Sequence, residues 1–202
     1  MKLRGLYAVT PDLEDRSKVL DLVARAIEGG VPLLQYRCKS LPSSQRLEEA
    51  TLLASMSRAK GVTFIINDDP GIAIASGADG AHLGKDDGEL ASARATLGNL
   101  LLGVSCYDSQ HAARAAVAAG ADYIAFGSVF ASPTKPAAVR APLGLFSEAK
   151  ALGVPLVAIG GITLENAPQA LAAGADALAV ISDLFDAPDV ASRARAYGKL
   201  FA

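Results

Sequence analysis

The sequence predicts a single-domain α/β fold, a (β/α)8 TIM barrel, for three reasons. Short apolar runs alternate with amphipathic helical patterns along all 202 residues, which is typical of a parallel sheet covered by helices. The apolar runs number eight, which suits closure into a barrel. No linker or change of composition divides the chain, so we expect residues 1–202 to form one domain.

The strands are predicted from runs of four to six mainly apolar residues, a length typical of buried strands. In chain order they are Leu6–Thr10, Leu33–Arg37, Thr63–Asn67, Gly80–Leu83, Leu101–Ser105, Tyr123–Ser128, Pro155–Gly160 and Ala177–Ser182. The fourth is the shortest, because glycines bound it on both sides.

Amphipathic stretches between the strands predict the helices. In the first stretch, apolar residues from Val19 to Ile27 recur at helical spacing, and the glycine pair Gly29-Gly30 ends the pattern. A Gly-Ala-Asp repeat, at residues 77–79, 120–122 and 174–176, closes later helices and leads into a strand. Candidate N-cap residues are Ser43 for the second helix, Ser109 for the fifth and Thr163 for the seventh.

An open, doubly wound sheet is the alternative fold. Such a sheet often carries a Gly-x-Gly-x-x-Gly turn after its first strand, and this chain has none there. Eight strand–helix units also suit a closed barrel better, so the barrel is favoured.

Composition and charge narrow the classes of function. The net charge is −2 and the pI is near 5.7, whereas a nucleic-acid-binding protein favours a basic face. No apolar run reaches the roughly 20 residues of a membrane span, and the first residues lack the apolar core of a signal peptide. Cys38 and Cys106 show neither metal-binding spacing nor a disulfide framework. We expect a cytoplasmic protein that binds small molecules, not nucleic acid or membranes; a homo-oligomer stays open.

A polar ladder ends the second predicted strand. Gln35, Arg37 and Lys39 alternate with Tyr36 and Cys38, so in an extended strand the first three face one side and the other two the opposite side. Unpaired cations are costly to bury, so an anion is expected to meet this face. The ladder lies at the carboxyl end of its strand, where a barrel carries its active site.

Other charged residues follow neighbouring strands at the same end. Asp68 comes after the third strand, Asp87 after the fourth and Lys135 after the sixth. Mg²⁺ is usually held by one or two carboxylates plus substrate phosphates, whose remaining oxygens suit Arg and Lys. Any single carboxylate–cation pair is better explained as an ion pair, but taken together these residues predict a magnesium-bound diphosphate.

The last two strands predict a second anion site. Gly160-Gly161 turns sharply into a helix after the seventh strand, and Ile181-Ser182 ends the eighth. Barrels often bind phosphate with these loops and a helix N-terminus. His82, within the fourth strand, is interpreted as an interior histidine and His111 as a surface residue. No Ser-His-Asp or zinc-binding pattern emerges, and stabilising a departing anion requires neither.

On these residues the chain resembles the thiamine phosphate synthase family over nearly its whole length. The family pattern Q-x-R-x-K is matched by residues 35–39, and N-D after the third strand by residues 67–68. H-x-G-Q-x-D is matched by residues 82–87, with Lys85 in place of Gln, and G-x-S by residues 103–105. T-x-T-K is matched by residues 132–135, with Ser132 in place of the first Thr, and I-G-G-I by residues 159–162.

The resemblance implies a transferase that joins hydroxymethylpyrimidine diphosphate to a thiazole phosphate. It implies a dissociative reaction, in which diphosphate leaves, a pyrimidine methylene cation forms and the thiazole nitrogen captures it. It assigns Mg²⁺ as cofactor, held by Asp68 and Asp87. The residues that it implies for the pyrimidine diphosphate are Gln35, Tyr36, Arg37, Cys38, Lys39, Asn67, Ser105 and Lys135. Those for the thiazole phosphate are Ser132, Pro133, Thr134, Gly161, Ile181 and Ser182, and the catalytic set is Arg37, Lys39, Ser105 and Lys135.

Three alternatives remain on the same fold. A thiazole tautomerase of this superfamily would carry a histidine after the sixth-strand Phe-Gly, where this chain has Phe126-Gly127-Ser128. A non-catalytic regulatory paralogue would keep phosphate affinity without the full charged set. A phosphosugar isomerase barrel would explain the second anion site but not the two carboxylates.

Overall fold

Eight parallel strands close into a barrel in chain order, with β8 hydrogen-bonded to β1. The structure is a computed structural model and describes residues 3–131 and 139–202. The strands are β1 Gly5–Val9, β2 Leu33–Tyr36, β3 Thr63–Asn67, β4 Gly80–Leu83, β5 Leu101–Tyr107, β6 Tyr123–Phe126, β7 Leu156–Ile159 and β8 Ala177–Val180. The predicted (β/α)8 barrel is confirmed, and closure excludes the open sheet.

A helix follows each strand, and a further short helix follows β8. The helices are α1 Arg16–Glu28, α2 Ser43–Arg58, α3 Pro70–Ser76, α4 Leu90–Leu97, α5 Gln110–Ala118, α6 Gly144–Ala149, α7 Ala167–Ala173, α8 Ser182–Phe185 and α9 Val190–Gly198. Within the described residues, no helix is both long and apolar enough to cross a membrane.

Strand ends depart from the predicted ends mainly at the carboxyl side. The apolar runs predict strands that include Arg37, Gly127 and Gly160, but these residues lie beyond the ends of β2, β6 and β7. Ser182, also predicted in a strand, begins helix α8. These residues sit where the chain turns from strand into loop. The carboxyl rim is therefore built from irregular backbone, which lets side chains and N–H groups point towards a ligand.

The apolar side chains form two concentric layers. Alternate strand residues face the barrel axis or the surrounding helices, as the two-residue period of a strand requires. The axial layer includes Tyr7, Val9, Leu33, Ile65, Tyr123, Ala125, Val157, Ala177 and Ala179. The layer beneath the helices is larger and contains Leu34, Phe64, Ile66, Leu83, Phe126, Leu156 and Leu178, among others.

The Gly-Ala-Asp repeat joins neighbouring strands at the amino rim. Each repeat aspartate accepts a hydrogen bond from a backbone N–H of the preceding strand. The pairs are Asp79 Oδ2 with Phe64 N at 2.7 Å, Asp122 Oδ2 with Leu102 N at 2.8 Å, and Asp176 Oδ2 with Leu156 N at 2.9 Å. The repeat thus ties β3 to β4, β5 to β6 and β7 to β8, a role that its position after a helix did not reveal.

The predicted N-caps hold at one helix of three. Ser109 accepts from the backbone N of Ala112 and caps α5, as predicted. Pro42 rather than Ser43 precedes α2, and its carbonyl accepts from Arg46 N. Thr163 accepts from Asn166 N, but the regular helix α7 starts only at Ala167 because the chain makes a turn first.

We expect Asp122→Ala to lower the free energy of unfolding by about 1–3 kcal/mol, because Leu102 N–H loses its carboxylate acceptor. Arg94 also loses its ion pair with Asp122, which adds little because the pair is exposed. Urea unfolding measures the change. Asp108→Ala, at an exposed position, is the matched control and should change the free energy by less than about 0.5 kcal/mol. Equal effects of the two substitutions would contradict the role given to the repeat.

Candidate active site

The polar ladder of β2 reaches the carboxyl rim on the axial side of the barrel. Gln35 is buried and its Nε2 donates to Tyr7 Oη at 2.9 Å. Arg37 and Lys39 follow at the rim, and each lies near a carboxylate. Arg37 Nη1 is 3.5 Å from Asp12 Oδ2, and Lys39 Nζ is 3.2 Å from Asp68 Oδ2. The cations therefore carry ion pairs with neighbouring loops.

The end of β1 positions this ladder. Thr10 Oγ1 accepts from Arg37 N at 2.9 Å and donates to Arg37 O at 3.1 Å. Asp12 Oδ1 accepts from Lys39 N at 3.1 Å and from Ser40 Oγ at 3.0 Å. Burial alone would raise the pKa of Asp12, but hydrogen bonds from Lys39 and Ser40 bring it below its ordinary value. Asp12 is thus an ionised clamp on the segment that carries both cations.

Tyr36 and Cys38 face away from this rim. Both side chains are buried in the layer beneath the helices, and Tyr36 Oη donates to Glu49 Oε2 of α2 at 2.5 Å. The two-residue period of the strand puts them opposite Gln35 and Arg37. The structure therefore does not bring these two predicted substrate-binding side chains to the site, where only their backbone remains available.

Asp68 and Asp87 adjoin each other on the loops that follow β3 and β4. Asp68 has a φ of 66°, a left-handed conformation uncommon for residues other than glycine and a form of strain often found at functional sites. Burial raises the pKa of Asp68, and the neighbouring Asp87 raises it further against the opposing effect of Lys39. Asp87 Oδ2 accepts from Gly84 N at 2.7 Å, which fixes it beside Asp68.

The two carboxylates fit a divalent cation that also takes ligands from a substrate. Their mutual repulsion is the kind that a bound cation relieves. Over residues 3–131 and 139–202, no group of three or more His, Cys, Asp or Glu side chains could hold a metal ion. One or two carboxylates are the number of protein ligands with which Mg²⁺ is commonly held when substrate phosphates supply the others.

A hydrogen-bonded chain of polar side chains crosses the barrel interior beneath the rim. Tyr7 Oη lies 2.8 Å from Tyr123 Oη, which lies 3.1 Å from His82 Nδ1. His82 Nε2 lies 2.8 Å from Ser105 Oγ. Burial lowers the pKa of His82 to about 4, against a smaller opposing effect of Asp87, so the imidazole is neutral. Two predicted site residues, Gln35 and Ser105, stand at the ends of this chain.

The residues predicted for the second anion site lie at the ends of β7 and β8. Gly161 has a φ of 64°, and a Cβ there would collide with the carbonyl oxygens of Phe130 and Ala131. Phe130 N donates to Gly160 O at 2.9 Å, so the loop after β6 packs on the glycine pair. After the neighbouring strand β8, Ile181 precedes α8 and Ser182 begins it, which leaves the first N–H groups of that turn without intrahelical acceptors.

The remaining predicted residues divide between the rim and the part of the chain outside the described residues. Asn67 ends β3 half-buried, and Ser105 lies on β5. Ser132, Pro133, Thr134 and Lys135 lie outside the described residues.

Sequence reasoning missed Asp12, Tyr7 and Tyr123. Asp12 follows β1 at the carboxyl rim, so the rule that gathered Asp68 and Asp87 would have found it if applied to the first strand. Tyr7 and Tyr123 lie inside apolar runs, where the sequence gives them the look of ordinary core residues. The one available signal is strand alternation, which places each hydroxyl on the axial side of the barrel. Their partners lie on other strands and are invisible in the sequence.

The closed barrel, with its charged groups gathered at the carboxyl rim, defines the class as (β/α)8-barrel enzymes. The chain matches the family model described as thiamine monophosphate synthase over residues 6–184. It is 54% identical over 202 residues to the thiamine-phosphate synthase of Aromatoleum aromaticum, covering 99% of this chain and 97% of that protein. It is also 54% identical to that of Chromobacterium violaceum, again covering 99% and 97%.

A solved structure agrees with these relatives. Thiamine phosphate pyrophosphorylase from Pyrococcus furiosus superposes with a TM-score of 0.87 at 33% identity, covering 98% of this chain and 96% of that one. The chain belongs to the thiamine monophosphate synthase family and is a transferase of thiamine biosynthesis. The family resemblance seen in the sequence motifs is confirmed.

We expect the buried, neutral state of His82 to make the fold acid-sensitive. Because its pKa is lowered from 6.5 to about 4, the unfolded chain binds a proton below about pH 6.5 that the folded protein does not bind. The stability that the fold gains from keeping His82 unprotonated is therefore fully present above about pH 6.5. It falls by on the order of 3 kcal/mol as the pH drops towards 4. Urea unfolding across this range should show a shallower decline for His82→Gln. Parallel curves for the two proteins would contradict the assignment.

Proposed function

We propose that this chain transfers a pyrimidine methylene group from hydroxymethylpyrimidine diphosphate to the ring nitrogen of a thiazole phosphate. The bond between the methylene carbon and the diphosphate oxygen breaks, and its electron pair leaves with diphosphate. The thiazole nitrogen then supplies the pair for the new carbon–nitrogen bond, and thiamine phosphate results. The observation that carries this proposal is the contact of Lys39 with Asp68 beside Asp87, with Arg37 on the same rim.

Arg37 and Lys39 would stabilise the departing diphosphate. Both are held in place through their backbone by Thr10 and Asp12, while their charged ends make only long or exposed ion pairs. Such pairs contribute about 0–1 kcal/mol, so a polyanion with several oxygens can replace them as partners. Lys135 is proposed as a third cation. Losing one such donor typically lowers the rate by on the order of 10²–10³.

Asp68 and Asp87 are the proposed ligands of Mg²⁺. When bound, the ion would neutralise diphosphate charge in the ground state and as the leaving group departs. The carboxylates would hold it because they adjoin, because Gly84 N fixes Asp87, and because the backbone of Asp68 is strained into place. Lys39 would exchange its ion-pair partner on binding. It pairs with Asp68 in the free protein and would pair with diphosphate in the complex.

The heterocycles would occupy the rim between the two anion sites. We propose Gln35, Asn67 and Ser105 as contacts for the pyrimidine, together with the backbone of residues 36 and 38. The thiazole phosphate would meet Gly161, Ile181 and Ser182, with Ser132, Pro133 and Thr134. Both ring nitrogens of His82 bond to protein hydroxyls, and burial lowers the pKa of the imidazole to about 4, so His82 would be a weak general base. A dissociative substitution needs no such base.

Two further properties belong to this proposal. Residues 1–202 would act as one catalytic domain, and its partners would be these small molecules in the cytoplasm. The tautomerase alternative is disfavoured because position 128 is a serine, whose Oγ donates to Phe130 O at 2.7 Å and supports the loop. A regulatory paralogue stays distinguishable by experiment, since it would bind thiazole phosphate without turnover.

Purified protein incubated with both precursors and Mg²⁺ should release thiamine phosphate and diphosphate in equal amounts. Chelation with EDTA should abolish the reaction, and added Mg²⁺ should restore it, because two carboxylates and a diphosphate complete the ligand set of the ion. Chromatography of the products measures both. Full turnover in EDTA would overturn the metal assignment, and binding of thiazole phosphate without product would favour the regulatory paralogue.

Asp68→Asn should lower kcat by at least about 100-fold while the protein stays folded. Asparagine tolerates the positive φ of position 68, so the change removes a metal ligand without adding strain. Asp69→Asn is the matched control, because Asp69 caps α3 by accepting from Ile72 N and asparagine caps helices equally well. Steady-state kinetics and thermal unfolding of both variants decide the outcome. An equal loss in the control would mean that the loop, and not the carboxylate, matters.

A further inference from the structure

Five polar side chains from five strands form one continuous hydrogen-bonded chain inside the barrel. In order they are Gln35, Tyr7, Tyr123, His82 and Ser105, from β2, β1, β6, β4 and β5. All lie within the barrel or at its carboxyl rim, and four of them are buried. Polar groups placed so deep in an apolar core require a reason, because each must keep its partner to avoid a desolvation cost.

The number of available protons gives this chain one direction. Gln35 Nε2 donates to Tyr7 Oη, and either hydroxyl could donate in the Tyr7–Tyr123 pair; donation by Tyr7 is the arrangement that gives its own proton an acceptor among the described contacts. The proton of Tyr123 then goes to His82 Nδ1, which must accept. A neutral imidazole that accepts at Nδ1 carries its proton on Nε2, and Nε2–H donates to Ser105 Oγ. The hydroxyl proton of Ser105 is left free for a ligand.

The backbone around Tyr123 is adapted to this arrangement. Its ring crosses β5 at Gly103, where an added Cβ would overlap Tyr123 Cζ and Oη. The ring also stacks on the imidazole of His82, with centroids 5.5 Å apart. The glycine of the Gly103-Val104-Ser105 motif therefore makes room for Tyr123, and the serine of the same motif ends the chain that Tyr123 directs.

We propose that Tyr7, Tyr123 and His82 are positioning residues that orient the amide of Gln35 and make Ser105 a hydrogen-bond donor to the heterocycle of the substrate. The inference rests on the proposed function for the identity of that heterocycle. Gln35 Oε1 faces no donor among the described residues and is the acceptor that the chain leaves open. Gln35 Oε1 as acceptor and the Ser105 hydroxyl as donor together recognise a ring that offers one N–H donor and one unprotonated nitrogen, as an aminopyrimidine does. An oxo analogue reverses this pattern and is rejected.

The histidine tautomer tests the chain without reference to activity. Only two histidines are present, so the ¹⁵N spectrum of the labelled protein assigns readily with His111→Gln. We expect His82 with a protonated Nε2 and an unprotonated Nδ1. Tyr123→Phe removes the donor to Nδ1 and should shift the tautomer towards Nδ1–H. Tyr197→Phe, which removes a hydroxyl bonded to Asp183 from an equally buried tyrosine, should leave the His82 signals unchanged.

Kinetics test what the chain does for the substrate. Tyr123→Phe should lower kcat/KM for the pyrimidine diphosphate by about 10- to 100-fold and leave the KM for the thiazole phosphate unchanged. Added to Ser105→Ala it should cause little further loss, because both act through one hydroxyl. An Nδ1–H tautomer in the unmodified protein, or an unchanged kcat/KM in Tyr123→Phe, would overturn the proposal. If the unmodified protein lacks transferase activity, the tautomer result still decides the direction of the chain.

Discussion

The pairing of β8 with β1 is the interaction on which the site depends. It joins opposite ends of the chain, from Gly5 with Ala177 to Ala8 with Val180, and leaves no sheet edge unpaired. Closure brings the inward side chains of nonadjacent strands together on the axis, where Tyr7 meets Tyr123 and Tyr123 meets His82. It also gathers the carboxyl ends of all eight strands into one rim.

In the described part of the rim, two cations are paired with carboxylates of neighbouring loops. Arg37 lies near Asp12 and Lys39 near Asp68, so neither cation is left without a partner. Asp68 nevertheless carries an unfavourable environment, through burial and the proximity of Asp87, that one lysine does not fully offset. The rim thus suits a ligand that brings both a cation for the carboxylates and an anion for Arg37 and Lys39.

Much of the fold followed from local pattern. The eight apolar runs became eight strands because period and length are properties of neighbouring residues. Predicted strand ends were less accurate at the carboxyl side, where Gly127, Gly160 and Ser182 turn away from the ladder. The repeat aspartates likewise show what local pattern reveals and what it does not. Their position after a helix was visible, but the N–H groups that Asp79, Asp122 and Asp176 accept from belong to other strands.

The candidate site divides in the same way. The sequence by itself determined that Gln35 at the end of β2 shares a side with Arg37 and Lys39 beyond it, since alternation is local, and its motifs identified the family. Only the tertiary structure decided that Asp12 clamps this segment, that Tyr36 turns to Glu49, and that two tyrosines and a histidine link Gln35 to Ser105. These contacts join residues far apart along the chain, and their distances exist only once the barrel has closed.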